Sequence, residues 1–333
     1  MASRGPSLPR ITDVAALAGV STSTASKALN DTGQLREETR ERVRRAAEQL
    51  GFTPDSRGRA LSSGRSYTVG LITTDSSGRF SIPIMLGAED ALSAGEMALV
   101  LCDTRDDPLR EQHYLRSLVS RRVDGIIVTG RRTEAREPID VPIPVVYAFS
   151  PSTDPADTSV IVDDHGGASS TVRHLLSLGR RRIAHVTGPA THNSARARAA
   201  ATIESAGDAF VGEPMHGEWS ERWGRHAVDV LLRCCGDEVD AISCGSDQIA
   251  RGVCDRLREL GRSVPDDLAV TGYDNWSVMA LASRPPLTTV DLELEELGRR
   301  TAQLLLDAIA DNPHPGLVEM PTRLVTREST LGT

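Results

Sequence analysis

ITDVAALAGVSTSTASKALN, Ile11–Asn30, holds two short helical stretches joined by a tight turn. Ile11–Ala18 places Val14, Leu17 and Ala18 on one face. Gly19 supplies the backbone angles of a turn, and Ser21 can cap the next helix by accepting a backbone N–H. Thr22–Leu29 then turns Ala25, Ala28 and Leu29 inward. A third helix is expected over about 37–50, with Val43, Ala46, Ala47 and Leu50 at i, i+3, i+4, i+7 spacing and Gly51 after it. Two short helices braced by a third describe a helix-turn-helix module. Its second helix suits the major groove of DNA. Thr22, Ser23 and Thr24 are short enough to approach base edges, and the positive end of the helix favours phosphates. Lys27 projects from the same helix and can donate to guanine or to a phosphate, as a point contact where arginine would fork.

The charge distribution agrees with a DNA-facing head. Residues 1–66 hold 11 Lys/Arg against 7 Asp/Glu, a net +4, within a chain of net charge −8, so the rest carries −12. A basic head on an acidic body points to the head as the part that meets a polyanion. At 333 residues the chain exceeds what one core usually organises, so at least two are expected. No run approaches a transmembrane span and MASRGPSLPR lacks the apolar core of a signal peptide, which predicts a cytoplasmic location. Cys102, Cys234, Cys235, Cys244 and Cys254 form no CxxC pair and read as small buried hydrophobes.

From Tyr67 onward apolar strands alternate with amphipathic helices. TVGLI (68–72), MALVLCD (97–103), DGIIVTG (124–130) and PVVYAF (144–149) form one series. VIVD (160–163), RIAHVTG (182–188), AISCG (241–245) and LAVTGYD (268–274) form a second. Such alternation predicts an α/β body with parallel sheets, in two similar lobes with a ligand cleft at the strand C-termini. Asp163-Asp164-His165 opens a helix and reads as capping, the eight histidines lack metal-site spacing, and there is no Walker loop and no GxSxG. No enzyme activity, cofactor or metal is expected.

ITDVAALAGVSTSTASKALN, continued by TRERVRRAAEQLGFTPDSRGRAL, resembles the N-terminal signature of the LacI/GalR family of bacterial transcription regulators, and the resemblance extends over almost the whole chain. It implies a helix-turn-helix domain at 1–53, a hinge at 54–66 and an effector-binding and dimerisation domain at 67–333. The latter resembles periplasmic sugar-binding proteins, with lobe one at about 67–161 and 291–320 and lobe two at about 162–290 and 321–333. By the same resemblance Thr22 and Ser23 set operator preference and Asn30 contacts phosphate. Leu61, with Arg59 beside it, enters the minor groove from a hinge helix that forms on DNA. Arg36 stands where the family commonly has a serine capping the third helix, and Gly58 replaces a hinge alanine.

The cleft residues carried over are Arg198 and Asp274 for ligand hydroxyls, Trp219 for stacking on a sugar ring, and Ser246, Asp247 and Asp75 as polar contacts. Phe149 and Phe80 are added where the family has other residues, with Arg79 beside Phe80 in SSGRFS. The resemblance implies a homodimeric repressor on palindromic operator DNA, released by a small, sugar-like effector. A co-repressor reading, with a purine or a protein partner, stays open. A transporter's solute-binding protein would need an export signal and no DNA-binding head.

Overall fold

A computed structural model describes residues 9–29, 33–52, 65–235 and 238–332. Asn30, Arg59 and Leu61 lie outside the described residues, as does most of the 54–66 hinge. Two units are distinguished, a small helical head and a larger α/β body.

In the head, α1 (Ile11–Ala18), α2 (Thr22–Leu29) and α3 (Glu37–Leu50) close around Val14, Ala15, Ala18, Ala25, Ala28, Val43, Ala46 and Ala47. Gly19 ends α1 at φ 63, and Arg42 from α3 donates to the Ala18 carbonyl at 2.9 Å, satisfying an acceptor the helix end leaves open. The Ser21 hydroxyl accepts from the Thr24 N–H at 3.1 Å and so caps α2. Arg36 precedes α3 without a side-chain capping bond. Leu17 departs from expectation: it is 48% exposed. The buried face of α1 runs through Val14, Ala15 and Ala18, and at 100° per residue Leu17 falls off its edge.

The body contains two six-stranded sheets. The first has the order β11-β5-β4-β3-β1-β2 and is parallel throughout. Its strands are β1 (Thr68–Thr73), β2 (Ala98–Asp103), β3 (Gly125–Thr129), β4 (Val145–Ala148), β5 (Thr158–Val162) and β11 (Gly316–Met320). The second has the order β12-β10-β9-β8-β6-β7, with only β12 antiparallel. It uses β6 (Ile183–Thr187), β7 (Met215–His216), β8 (Ala241–Cys244), β9 (Ala269–Asp274), β10 (Thr288–Asp291) and β12 (Arg323–Val325). Each sheet has its own core, one around Leu71, Ile127, Val160 and Leu305, the other around Ile242, Val253, Leu257 and Val270. The chain passes between the lobes three times: after β5, after β10 and between β11 and β12. No helix among the described residues is long and apolar enough to cross a membrane.

Two helix crossings depend on glycine. A Cβ on Gly87 in the Ser81–Ser93 helix would stand 1.8 Å from the Glu295 carbonyl oxygen; one on Gly298 in the Leu294–Ile309 helix would stand 2.0 Å from that of Ile84. The helices therefore meet backbone to backbone. Gly224 and Gly252 do the same in the second lobe. Three cysteines are buried as expected, whereas Cys234 is exposed and Cys235 half-buried at the end of the Glu221–Cys235 helix.

Candidate functional site: an interlobe cleft and a DNA-reading helix

Thr22, Ser23 and Lys27 are exposed on α2, while Thr24 is half-buried with its hydroxyl 2.8 Å from that of Ser21. Ala25 and Ala28 fix the opposite face in the core. The head thus offers a short hydroxyl-and-lysine surface on a braced helix.

In the body a cavity of 280 Å³ opens between the lobes, near the lower end of the usual range for small-molecule sites. Six of the expected residues line it: Phe80, Phe149, Arg198, Trp219, Ser246 and Asp274. Arg198 is 4% exposed and organises its floor. Its Nε donates to Asp164 at 2.8 Å and its Nη1 to the Gly245 carbonyl at 2.7 Å, with Asp274 at 3.4 Å. The guanidinium carbon lies 3.7 Å from the centre of the Tyr273 ring. Burial works against the charged guanidinium, but Asp164 and Asp274 outweigh it and hold the group protonated, above its ordinary range. Asp164 itself follows Asp163, whose carboxylate caps the Asp164–Ser177 helix by accepting from the Gly166 N–H at 2.6 Å. Sequence reading recognised the cap and missed the ion pair.

Trp219 Nε1 donates to His192 Nδ1 at 2.8 Å, which requires that nitrogen to be unprotonated. His192 is held below its usual pKa, first by burial, with Arg132, Arg131 and Arg196 acting in the same sense against Glu134. Phe80 and Phe149 stack at 4.9 Å between ring centres. Phe149 has φ 69 and Asp274 φ 100, strained backbone of the kind that collects at binding sites.

Two expected contacts are placed elsewhere. Asp75 is buried and outside the cavity lining. Its carboxylate accepts from the Phe80 and Ser81 N–H groups at 2.7 and 3.0 Å and from the Ser77 hydroxyl at 2.6 Å. These bonds outweigh burial and lower its pKa, and they shape the loop that delivers Arg79 and Phe80. Asp247 is fully buried, accepting from the Thr289 hydroxyl at 2.6 Å and the Trp276 N–H at 2.7 Å. It holds the backbone just after Asp274. A carboxylate following a strand looks the same in sequence whether it faces the cleft or pins a neighbouring loop.

Burial, with Asp274 nearby, pushes the Asp247 pKa up to about 8. A raised pKa means the folded state keeps a proton that the unfolded chain sheds near 4. Its contribution to stability is complete below about pH 4 and fades as pH rises through 8. Asp247→Asn mimics the protonated carboxyl. Its unfolding midpoint should exceed that of the native chain at pH 8, by a margin that narrows as pH falls and closes only below about pH 4. A variant with a lower midpoint at both ends of that range would show that the ionised form is the one the fold needs.

Residues the sequence did not single out complete the wall: Arg131, Arg132 and Thr133 after β3, and His192 and Ser194 at the start of the Asn193–Ala206 helix. Arg79 crosses from the first lobe to pair with Asp274 and donates to Gln248 at 3.0 Å, with its guanidinium 4.5 Å from the Trp276 ring centre. On the other side Glu134 accepts from the Asn193 N–H at 2.7 Å. These two contacts flank the cavity and tie the lobes together. Arg79 Nε and Thr133 Oγ1 are buried without a partner, donors of the kind a bound ligand satisfies.

Comparison with known proteins places both parts. The family profile described as bacterial regulatory proteins, lacI family, matches residues 10–55, and that of a periplasmic binding protein-like domain matches 172–330. The HTH-type transcriptional repressor PurR of Aliivibrio fischeri (strain MJ11) is 31% identical over 96% of this chain and 98% of its own. That of Vibrio vulnificus (strain CMCP6) is also 31% identical, over 96% and 98%. Among solved structures, the transcriptional regulator CelR–cellobiose complex is 30% identical over 96% of this chain and 99% of that one, with a TM-score of 0.66. The lac repressor dimer bound to operator and the anti-inducer ONPF shares the fold at a TM-score of 0.78, with 24% identity over 97% and 99%. With near-complete coverage by repressors at this identity and a head matched by their DNA-binding profile, the chain belongs to the lacI family of bacterial regulatory proteins and is a DNA-binding transcriptional regulator.

Proposed function

We propose that this regulator is a cytoplasmic, homodimeric repressor that leaves a near-palindromic operator when a small, sugar-like effector enters the interlobe cleft. The observation that carries the effector reading is Arg198, fixed between Asp164 and Asp274 in a cavity that both lobes line. A guanidinium and a carboxylate side by side can donate to and accept from adjacent hydroxyls, and Trp219 supplies an apolar face beside them. In the DNA-bound state Thr22, Ser23, Thr24 and Lys27 read the major groove, while Asn30, Arg59 and Leu61 act at the backbone and the minor groove. Two heads on two half-sites supply the affinity that one short helix lacks. Release is a population shift: the effector must bind the DNA-incompetent arrangement more tightly, and that ratio sets the response.

The test is operator binding by fluorescence anisotropy, titrated with a sugar panel. Asp274→Ala should retain operator binding and need about tenfold more effector for release, or more, since a hydrogen bond to a charged group is lost. Release of the variant at the native effector concentration would remove Asp274 from the site.

A further inference from the structure

The four arginines lining the cavity are not equally matched. Arg79 faces Asp274, Arg198 faces Asp164 and Asp274, and Arg131 lies 3.4 Å from Asp106. Arg132 lines the same cavity, is exposed to it, and has no ion pair or hydrogen bond from its side chain among the described residues. The neighbouring carboxylates are already engaged: Glu111 accepts from both terminal nitrogens of Arg136 at 2.7 and 3.0 Å, and Asp107 caps the Pro108–Ser120 helix. Glu134 spends one oxygen on the Asn193 N–H, and its other oxygen is buried outside the cavity lining.

Beside Arg132, the Thr133 hydroxyl is buried and unpartnered, as is Arg79 Nε. Of the buried unpartnered groups on the lining, Arg79 Nε is a donor and the Thr133 hydroxyl can donate, and Arg132 beside them carries an unmatched positive charge. His192 responds to the same field, since Arg132 and Arg131 both act to lower its pKa. A neutral sugar would leave Arg132 hydrated as it stands, so the residue discriminates only if the ligand brings a charge.

We propose that the effector is an anion, a polyhydroxylated molecule whose carboxylate or phosphate group pairs with Arg132 while Arg198 and Asp274 hold its hydroxyls. This rests on the cleft being the effector site and narrows what that site accepts. The charged group lies at the β3 end of the cavity, under Arg132 and Thr133, and the hydroxyl-bearing part lies over the Arg198 floor.

The experiment is calorimetric titration of the full chain with a panel of aldoses, each matched to its uronic acid and its terminal phosphate; glucose, glucuronate and glucose 6-phosphate are one such set. It is run at low and high salt on the native protein and on Arg132→Gln, a surface change whose folding is checked by thermal unfolding. The charged member of a set should bind at least about tenfold more tightly than the neutral one, lose part of that advantage in high salt, and lose nearly all of it in Arg132→Gln. Preference within the set, uronic acid against phosphate, assigns the charged group. A neutral sugar that binds as tightly as its charged counterparts overturns the proposal and leaves the cleft reading standing. So does a charged probe whose affinity Arg132→Gln leaves unchanged. Failure of every member to bind the native chain overturns the sugar-like reading of the cleft, and this proposal with it.

Discussion

Arg198→Met should cost about 3–5 kcal/mol of stability and abolish the response to effector in the same protein. The cost comes from Asp164, which is buried and would keep a carboxylate with no counter-charge once the guanidinium is gone. Asp274 would lose a neighbour as well, but it retains Arg79. Urea unfolding measures the first effect and effector-dependent operator release the second. The double variant Arg198→Met, Asp164→Leu separates them, because removing both charges should recover much of the stability and none of the response. A single variant as stable as the native chain would mean that Asp164 is protonated or solvated without Arg198, and the pair would then owe its place to ligand binding alone.

Gly298→Ala should have the second large effect, in a direction that helix propensity predicts wrongly. In an open helix the change from glycine to alanine is worth about 0.5–1 kcal/mol in favour of alanine. Here the added methyl would stand 2.0 Å from the Ile84 carbonyl oxygen. The obstacle is backbone, so no side chain can swing aside and the two helices must separate, at a cost of about 3 kcal/mol or more. The separation would open the core around Leu297, Ala302 and Leu305. A urea midpoint equal to or above the native one would show that the helices have slack the structure does not suggest.

The head was the most legible part of the chain, because its evidence is local. Gly19, Ser21 and the alanines of α2 and α3 lie within a few residues of the contacts they make. The two runs of alternating strands and helices were legible for the same reason, whereas two-residue β7 and the polar β10, TTVD, carry little pattern to read. In the cleft, Arg198 and Asp274 were found through resemblance to a family, and the geometry adds what each touches. The contacts of Arg79 with Asp274 and of Glu134 with Asn193 join positions far apart in sequence, and no spacing rule reaches them. Asp75 and Asp247 show the converse limit. The family resemblance implies both carboxylates as ligand contacts, yet the donors that claim them are backbone N–H and hydroxyl groups of neighbouring segments.

The three passages between lobes also set the order in which the protein can be completed during synthesis. The first sheet needs β11 beside β5, and the helix after β1 needs the Leu294–Ile309 helix against its glycine face, so both wait for the last part of the chain. While the second lobe is being translated, β5 is an open sheet edge and the Gly87 face is uncovered, the kind of surface that chaperones hold and that aggregates without them. A reading frame interrupted anywhere before residue 316 therefore yields no finished first lobe, however much of the second has been made. Late nonsense mutations should then behave like early ones, with the polypeptide cleared by proteases.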